Sequence, residues 1–401
     1  MKIGIDLRPL QGHNKYRGIG RNILELITAL SKVDEKNDYI FYIFEELERP
    51  INGINLPPKF KYELKKVKFS NLSQTRYLGI FFNEFSPVDV ASDDLDVFFQ
   101  TDIQYGLPRK VKTVAIFYDL IPFYYWNKDK LSKHKGLRKV KIKTADRIMR
   151  ERYLRVLRRY KKADRIISIS KSSKDDLVAH FKTIKPTDVT VALLGFSSLD
   201  KKSVSLTKKQ ILEKYKIKNE YLLYVGGVDM RKNIVGLANI FFEYKKNSNS
   251  DIKLLMIGKE FDNKEELTDL GWFDTIKESK YREDIICSGY VDDTELSCLY
   301  KNAGAFVFPS LYEGFGLPVL EAMAHGTPVV AFNNSSIPEV AGDAAVLCKN
   351  DKEFVTGIEK IMSNEKFRKS LIKKGHKQVM KFSWEKTAKQ TLRVIEELGG
   401  K

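Results

Sequence analysis

No apolar run in this chain approaches the roughly 18 residues that a membrane-crossing helix requires, so no transmembrane span is expected. Cysteine is scarce: Cys287, Cys298 and Cys348 are the only three, widely spaced and odd in number. There is no Cys-x-x-Cys, and the five histidines are scattered, which argues against a zinc site and a disulfide framework and for a reducing compartment. The opening Met1-Lys-Ile-Gly-Ile-Asp-Leu7 is a short apolar stretch broken by Asp6, and it reads as a first strand rather than a signal peptide. No internal repeat and no low-complexity tract is present. A full dinucleotide glycine fingerprint is also missing: Gly18-Ile-Gly20 is followed three positions on by Ile23, not by a third glycine, and this argues against NAD.

What is present is an ordinary globular balance, 43% hydrophobic and 30% charged over 401 residues, enough for about two or three domains. The net charge of +18 is unevenly spread. From Lys128 to Arg165 there are 17 Lys and Arg against four Asp and Glu, preceded by Phe123-Tyr-Tyr-Trp126. Ile148, Tyr153, Leu154 and Leu157 recur at helical spacing, so Asp146 to Lys162 is expected to be an amphipathic helix. A basic stretch beside aromatics suits the anionic cytoplasmic face of a membrane; a solvated basic face and nucleic acid are the alternatives. No RNA- or DNA-binding signature accompanies the charge.

Short apolar runs alternate with helical patterns along the chain. Strands are expected at Lys2–Leu7, Tyr39–Phe44, Val97–Gln100, Thr113–Phe117, Arg165–Ser168 and Val189–Val191. In the second half they are expected at Tyr221–Val225, Lys253–Ile257, Ile285–Ser288, Ala305–Phe308, Pro328–Ala331 and Ala345–Leu347. Helices are expected at Gly20–Ser31, Lys171–Phe181, from Asn233, and from about Ser383 to Leu398, with Ser383 as the last one's cap. This rhythm predicts an α/β protein with two doubly wound, mostly parallel sheets. The expected divisions are residues 1–196, a linker at 197–219, 220–380, and a C-terminal helix at 381–401.

The densest segment is Pro309-Ser-Leu-Tyr-Glu-Gly-Phe-Gly-Leu-Pro-Val-Leu-Glu321. It follows the apolar Ala305–Phe308 and leads into a helix over Leu317–Ala324, with Pro318 suited to the first turn. The glycines therefore make a strand-to-helix turn whose amides face a helix N-terminus, a ready site for anions or hydroxyls. Glu313 and Glu321, eight residues apart, flank it with two acceptors. A cradle of donors between two carboxylates suits a polyol that bears a phosphate.

This segment resembles the Glu-x7-Glu signature of retaining GT-B glycosyltransferases of family four, the bacterial surface-polysaccharide type. The resemblance covers nearly the whole chain and is most specific over 220–335. It implies two Rossmann-like domains facing across a cleft, with the last helix crossing back to the first domain and Trp384 packed at the crossing. It also implies that Glu313 holds the donor sugar's hydroxyls, that Phe315, Gly316 and Leu317 meet the sugar and distal phosphate, and that Glu321 binds the ribose diol. Gly226-Gly-Val-Asp-Met-Arg-Lys-Asn233 matches the strand end at which Arg231 and Lys232 neutralise the leaving diphosphate, work that fixed cations can do without a metal. Asp93-Asp-Leu-Asp96 contains an Asp-x-Asp but is expected to be a solvated loop, so no metal ligands are assigned.

Around the remaining motifs, the Arg17-Gly18-Ile19-Gly20-Arg21 loop fits the family's first turn, and Gly18 and Gly20 would let a phosphate approach. Where relatives read His-Asp-Leu, this chain has Tyr118 and Asp119. Tyr118 could donate to the sugar, and Asp119 could contact donor or acceptor, or simply cap the loop that follows. Ser288–Leu296 resembles the base-binding loop, with backbone groups near Tyr290 and Val291 reading the base and Asp293 or Thr294 starting a helix. Ser168 and Ser170 lie at a strand end, near the cleft or as helix caps. The expectation is a cytoplasmic, metal-independent, retaining hexosyltransferase, peripheral on the inner membrane face and without a cofactor. It would pass mannose from GDP-mannose to a lipid-linked glycan, with dTDP-rhamnose and UDP-sugars as other donors and an inactive GT-B binding partner as the other class.

Overall fold

The computed structural model describes residues 1–11, 18–45, 56–68, 87–125, 147–148, 150–197, 207–262, 267–268, 270–277 and 279–400. Two compact units divide the chain, Met1–Phe123 with Met149–Gly195 and Phe382–Lys401 in one, Tyr124–Ile148 with Phe196–Lys381 in the other. Trp126, Arg17 and most of the basic stretch lie outside the described residues.

The first unit is a seven-stranded sheet of β1 (Lys2–Asp6), β2 (Asp38–Phe44), β3 (Tyr62–Val67), β4 (Val97–Gln100), β5 (Lys112–Phe117), β6 (Arg165–Ser168) and β7 (Val189–Val191). The order is β3-β2-β1-β4-β5-β6-β7, and every pairing is parallel. Central strands such as Val97–Gln100 are wholly buried, as sheets covered on both faces require. Strand β3, Tyr-Glu-Leu-Lys-Lys-Val, escaped the sequence reading because it is a half-exposed edge whose lysines replace an apolar run. Helix α1 (Gly18–Val33) follows β1, and α2 (Lys171–His180) follows β6 with the Ser170 hydroxyl accepting from the Ser173 amide as its cap.

The second unit is a six-stranded parallel sheet of β8 (Tyr221–Val225), β9 (Lys253–Ile257), β10 (Ile285–Ser288), β11 (Ala305–Phe308), β12 (Val329–Phe332) and β13 (Ala345–Cys348), ordered β10-β9-β8-β11-β12-β13. Its helices include α3 (Lys208–Lys214), α4 (Ile234–Ser248), α5 (Asp293–Asn302), α6 (Leu317–Ala324), α7 (Asp351–Ser363) and α8 (Glu365–Val379). Part of the expected linker is thus ordered helix. Thr207 and Gln210 form a reciprocal cap on α3, and the adjoining Tyr215 hydroxyl donates to Glu295 of α5 at 2.7 Å.

The last helix, α9 (Trp384–Gly399), belongs to the first unit and packs on α1, β4, β5 and β6. The Ser383 hydroxyl accepts from the Lys386 amide at 3.1 Å, the expected cap. Trp384 lies against Gly195, where an added Cβ would sit 2.3 Å from the Trp384 nitrogen. Thr387 donates to the Leu193 carbonyl at 2.6 Å, fixing the same crossing.

The two acids of the Asp-x-Asp, Asp94 and Asp96, are exposed, as expected of a solvated loop. Asp93 departs from that expectation: it is buried, accepts from the Tyr42 hydroxyl at 2.6 Å and pairs with Lys65, while Asp96 accepts from the Lys2 amide at 2.8 Å. Asp93 ties the loop to β2 and β3 and Asp96 ties it to β1, which composition alone did not reveal.

Candidate active site

Strand order reverses between β8 and β11 in the second unit. Connections leaving the carboxyl ends of these neighbours diverge, and such a switch point leaves a crevice for ligands. Two loops enter it. Residues after β8 form a tight 3-10 turn, Met230–Lys232, and Asn233 beyond it adopts a left-handed backbone. Residues after β11 form the glycine turn into α6. The Leu311 amide donates to the Arg231 carbonyl at 2.6 Å, joining the two.

Across this junction Arg231 donates to Glu313 Oε2 at 2.8 Å and Lys232 to Oε1 at 2.7 Å. Arg231 Nε also reaches Asp229 Oδ1 at 3.1 Å. Lys232 lies 5.2 Å from the centre of the Phe308 ring, and Lys232 and Glu313 are each 8% exposed. Burial by itself would raise the Glu313 carboxyl, but Lys232 and Arg231 outweigh it and hold it below its usual 4.5. Both expected diphosphate partners are therefore presented together, each paired with the one carboxylate expected to hold the sugar.

The turn's backbone is held from β12. The Ser335 hydroxyl accepts from the Glu313 amide at 2.9 Å, Ser336 Oγ lies 2.9 and 2.6 Å from the Glu313 and Phe315 carbonyls, and Asn334 donates to the Ser310 carbonyl at 3.0 Å. Gly316 stands at the N-cap of α6 with φ of 114°, a backbone that favours glycine, and a Cβ there would meet Ile337 Cδ1 at 2.7 Å. The Leu317 amide heads the first turn, where helix geometry leaves no intrahelical acceptor. Phe315 is buried, so its contribution toward a ligand would be backbone. Glu321 sits in the second turn, accepting from the Tyr300 hydroxyl at 3.1 Å. Val291 is buried just before α5, which starts at Asp293 with Asp292 as its cap; Tyr290 beside it is 75% exposed. Asn334 to Ser336 and Tyr300 were not singled out from sequence. The polar run Asn333-Asn-Ser-Ser336 directly after a buried strand was the available signal.

In the first unit the reversal falls between β1 and β4. There Arg8 makes a two-pronged pair with Asp6, at 2.8 and 2.7 Å, and Gln100 donates to Asp6 Oδ2 at 2.8 Å, all three almost fully buried. This cluster was missed; an Asp-x-Arg directly after an apolar strand marks it. The Tyr118 hydroxyl donates to the Thr101 carbonyl at 3.2 Å, so it is engaged within the fold. Asp119 Oδ1 accepts from the Ile121 amide at 2.8 Å, the capping alternative, over the short helix Ile121–Tyr125. Tyr153 donates to the Asp119 carbonyl at 3.1 Å. Ser168 donates to the Ser170 carbonyl at 2.9 Å. Gly18 opens α1 with nothing within 4 Å of an added Cβ, whereas Gly20 is buried.

The glycosyl transferases group 1 family matches residues 207–378, the segment that carries every one of these second-unit residues. The O-antigen chain mannosyltransferase B of Escherichia coli is 33% identical over 241 residues, covering 58% of this chain and 60% of that one. The serotype-specific mannosyltransferase WbdA of Escherichia coli is 27% identical over 417 residues, covering 97% of this chain and 47% of that one. The chain thus spans about half to three fifths of these relatives' own lengths. The crystal structure of Anabaena HepE in complex with UDP-glucose superposes with a TM-score of 0.66 at 11% identity, covering 99% of this chain and 100% of that one. That likeness extends over both units, and the fold is GT-B.

Proposed function

We propose that the protein is a retaining hexosyltransferase that passes mannose from a nucleotide-diphosphate sugar to a hydroxyl of a glycan acceptor in surface-polysaccharide assembly. The observation that carries this is the Arg231–Glu313–Lys232 bridge at the switch point of the second sheet, at the entry to α6. The mannosyltransferase relatives support the sugar. GDP-mannose is the donor this favours, and a lipid-linked glycan on an anionic membrane face is the acceptor.

The chemistry follows from charge. Departure of a nucleoside diphosphate develops negative charge, which the cations Arg231 and Lys232 would take up. Glu313, an ionised acceptor, can exchange those partners for sugar hydroxyls as the donor binds. Among the described residues no carboxylate, histidine and cysteine group is arranged to hold a metal ion. Two cationic side chains can supply the electrostatic work that a divalent ion would otherwise do, so transfer without metal is the expected mode. With no protein nucleophile in the motif set, attack on the face from which the diphosphate leaves, with the phosphate taking the acceptor's proton, would keep the α configuration.

Incubating the protein with GDP-mannose, dTDP-rhamnose and UDP-sugars, a mannose-terminated acceptor and excess EDTA tests this. Acceptor-dependent release of GDP and an α-linked product are expected. Activity abolished by chelator and restored by Mg²⁺ or Mn²⁺ would overturn the metal-free mechanism. Tight nucleotide binding without transfer from any donor would make the protein a binding partner of the same fold.

A further inference from the structure

Glu321 is held from outside its own helix. Tyr300, in the last turns of α5, donates its hydroxyl to Glu321 Oε2 at 3.1 Å, and both side chains are buried. The Tyr300 ring has little freedom. It meets Phe306 at a steep angle with centroids 5.4 Å apart, and His325 lies nearly parallel to it at 5.5 Å and 16°. The Tyr300 carbonyl accepts from the Thr327 hydroxyl. His325 Nδ1 lies 2.7 Å from the Glu321 carbonyl, so that nitrogen carries the proton and pins the ring that backs Tyr300. Burial, and after it the charge of Glu321, push the Tyr300 phenol well above its ordinary value, so it remains a donor.

Helix α5 has a second attachment. Its first turn is bracketed by Glu295, which accepts from Tyr215 at 2.7 Å and pairs with Lys214. The same helix begins directly after Val291, in the loop matched to base recognition. A rigid ten-residue element therefore joins that loop to the carboxylate. An ionised carboxylate only accepts hydrogen bonds, and the fixed Tyr300 donor restrains where Oε2 can lie. An acceptor held in this way suits two hydroxyls on adjacent carbons.

We propose that Tyr300 is a positioning residue that orients Glu321 toward a vicinal diol, so that the site selects a ribonucleoside diphosphate over a 2′-deoxyribonucleoside diphosphate. This rests on the proposed nucleotide-sugar donor and on Glu321 as the ribose contact that the family resemblance implies. It goes further in disfavouring deoxythymidine-diphosphate donors. A deoxyribose offers one hydroxyl fewer to a buried acceptor, and sites built for a hydroxyl reject analogues that lack it.

The test is calorimetric titration of the full chain with GDP, 2′-deoxy-GDP, UDP, 2′-deoxy-UDP and pyrophosphate. Wild type, Tyr300→Phe, Glu321→Gln and the double variant are compared. Wild type is expected to bind the ribonucleotide of its preferred base about tenfold more tightly than the deoxy form, the scale of one buried hydrogen bond to a charged group. Tyr300→Phe keeps the ring and should weaken only the ribonucleotide, closing most of that gap while pyrophosphate binding stays unchanged. The double variant should bind no worse than Glu321→Gln, because the tyrosine acts through the carboxylate. If Glu321→Gln loses the preference and Tyr300→Phe keeps it, the role of Tyr300 is overturned and the ribose contact stands. If Glu321→Gln keeps it, both fall. Equal weakening of every ligand by Tyr300→Phe, pyrophosphate included, would mark a merely structural tyrosine and overturn the proposal. A wild type that binds ribo and deoxy forms alike overturns it without any variant.

Discussion

Lys232 has two separable duties. Its ammonium group compensates a buried carboxylate in the ligand-free protein and, in the proposed reaction, the leaving diphosphate. Lys232→Ala should therefore lower turnover by roughly 100-fold, the scale for one preorganised electrostatic partner. It should also destabilise the fold by about 1–3 kcal/mol, because Glu313 is left with a single cationic partner in a buried setting. The two effects differ in pH dependence. Glu313 titrates below its usual 4.5 in the folded chain, so its stabilising contribution is present above the unfolded value and is lost as pH falls through the folded value. Urea titrations should thus show a stability gap between wild type and variant that is full near neutrality and narrows below about pH 4.5. A gap that widens in acid would contradict the ion-pair account. Asp119 and Tyr118 show the limit of matching residues one by one. Their motif was legible, but the Ile121 amide and the Thr101 carbonyl that engage them come from the folding of two loops.

At the level of elements, α9 shows how a short sequence signal meets a long-range contact. Ser383 as a cap was readable because the cap bonds locally, three residues on. That Trp384 packs where the last helix returns to the first unit was expected only from the family resemblance; its contact with Gly195 came from the structure, and the geometry explains why glycine is needed there. Gly195→Ala would bring a methyl carbon within 2.3 to 2.5 Å of the Trp384 backbone. Backbone at a helix start cannot yield as a flexible side chain does, so a loss of about 1–3 kcal/mol is expected. Thermal melts of Gly195→Ala and Gly195→Ser would both fall by several degrees; an unchanged melt for both would mean that α9 contributes little to the first unit. Strand β3 is the counterexample among elements. Its lysines and glutamate carry no periodic apolar signal, and only pairing with β2 makes it a strand.

On the scale of the whole molecule, the charge of +18 asks for a partner of opposite sign. The described part of the basic stretch is helical over residues 150–157 and continues into a 3-10 turn at Arg158–Lys162. Its arginines are not equivalent. Arg155 and Arg158 are exposed, whereas Arg159 is half-buried and donates to the Ile103 and Gln104 carbonyls at 3.1 and 2.8 Å. Phe123 is likewise not a free aromatic: it packs against His180 at 4.5 Å and lies under Arg150 at 4.4 Å. Membrane contact is therefore tested by Arg155→Glu with Arg158→Glu, and Arg159→Ala serves as the structural contrast. Each basic residue near an anionic surface contributes about 1 kcal/mol before screening. The double reversal should cut sedimentation with anionic vesicles several-fold at low salt and leave transfer to a soluble acceptor intact. Arg159→Ala should instead lower the melting temperature. Equal sedimentation with neutral and anionic vesicles would leave the stretch as a solvated face.

The sequence by itself determined what short-range physics controls: the alternation of apolar runs with helical patterns, the turn at Gly314–Gly316, the Pro318 start of α6, and the local caps at Ser170 and Ser383. Each is a statement about neighbours within a few positions, where residue type dictates backbone conformation. Tertiary structure decided which distant groups meet. Glu313 and Lys232 are 81 positions apart and touch only because β8 and β11 are neighbours at the reversal of strand order. Tyr300 reaches Glu321 because consecutive helices flank β11, and Asp6, Arg8 and Gln100 share one buried cluster because β1 pairs with β4. Strand order is set by the competition among all pairings of the sheet and by loop connectivity, and no local window contains it.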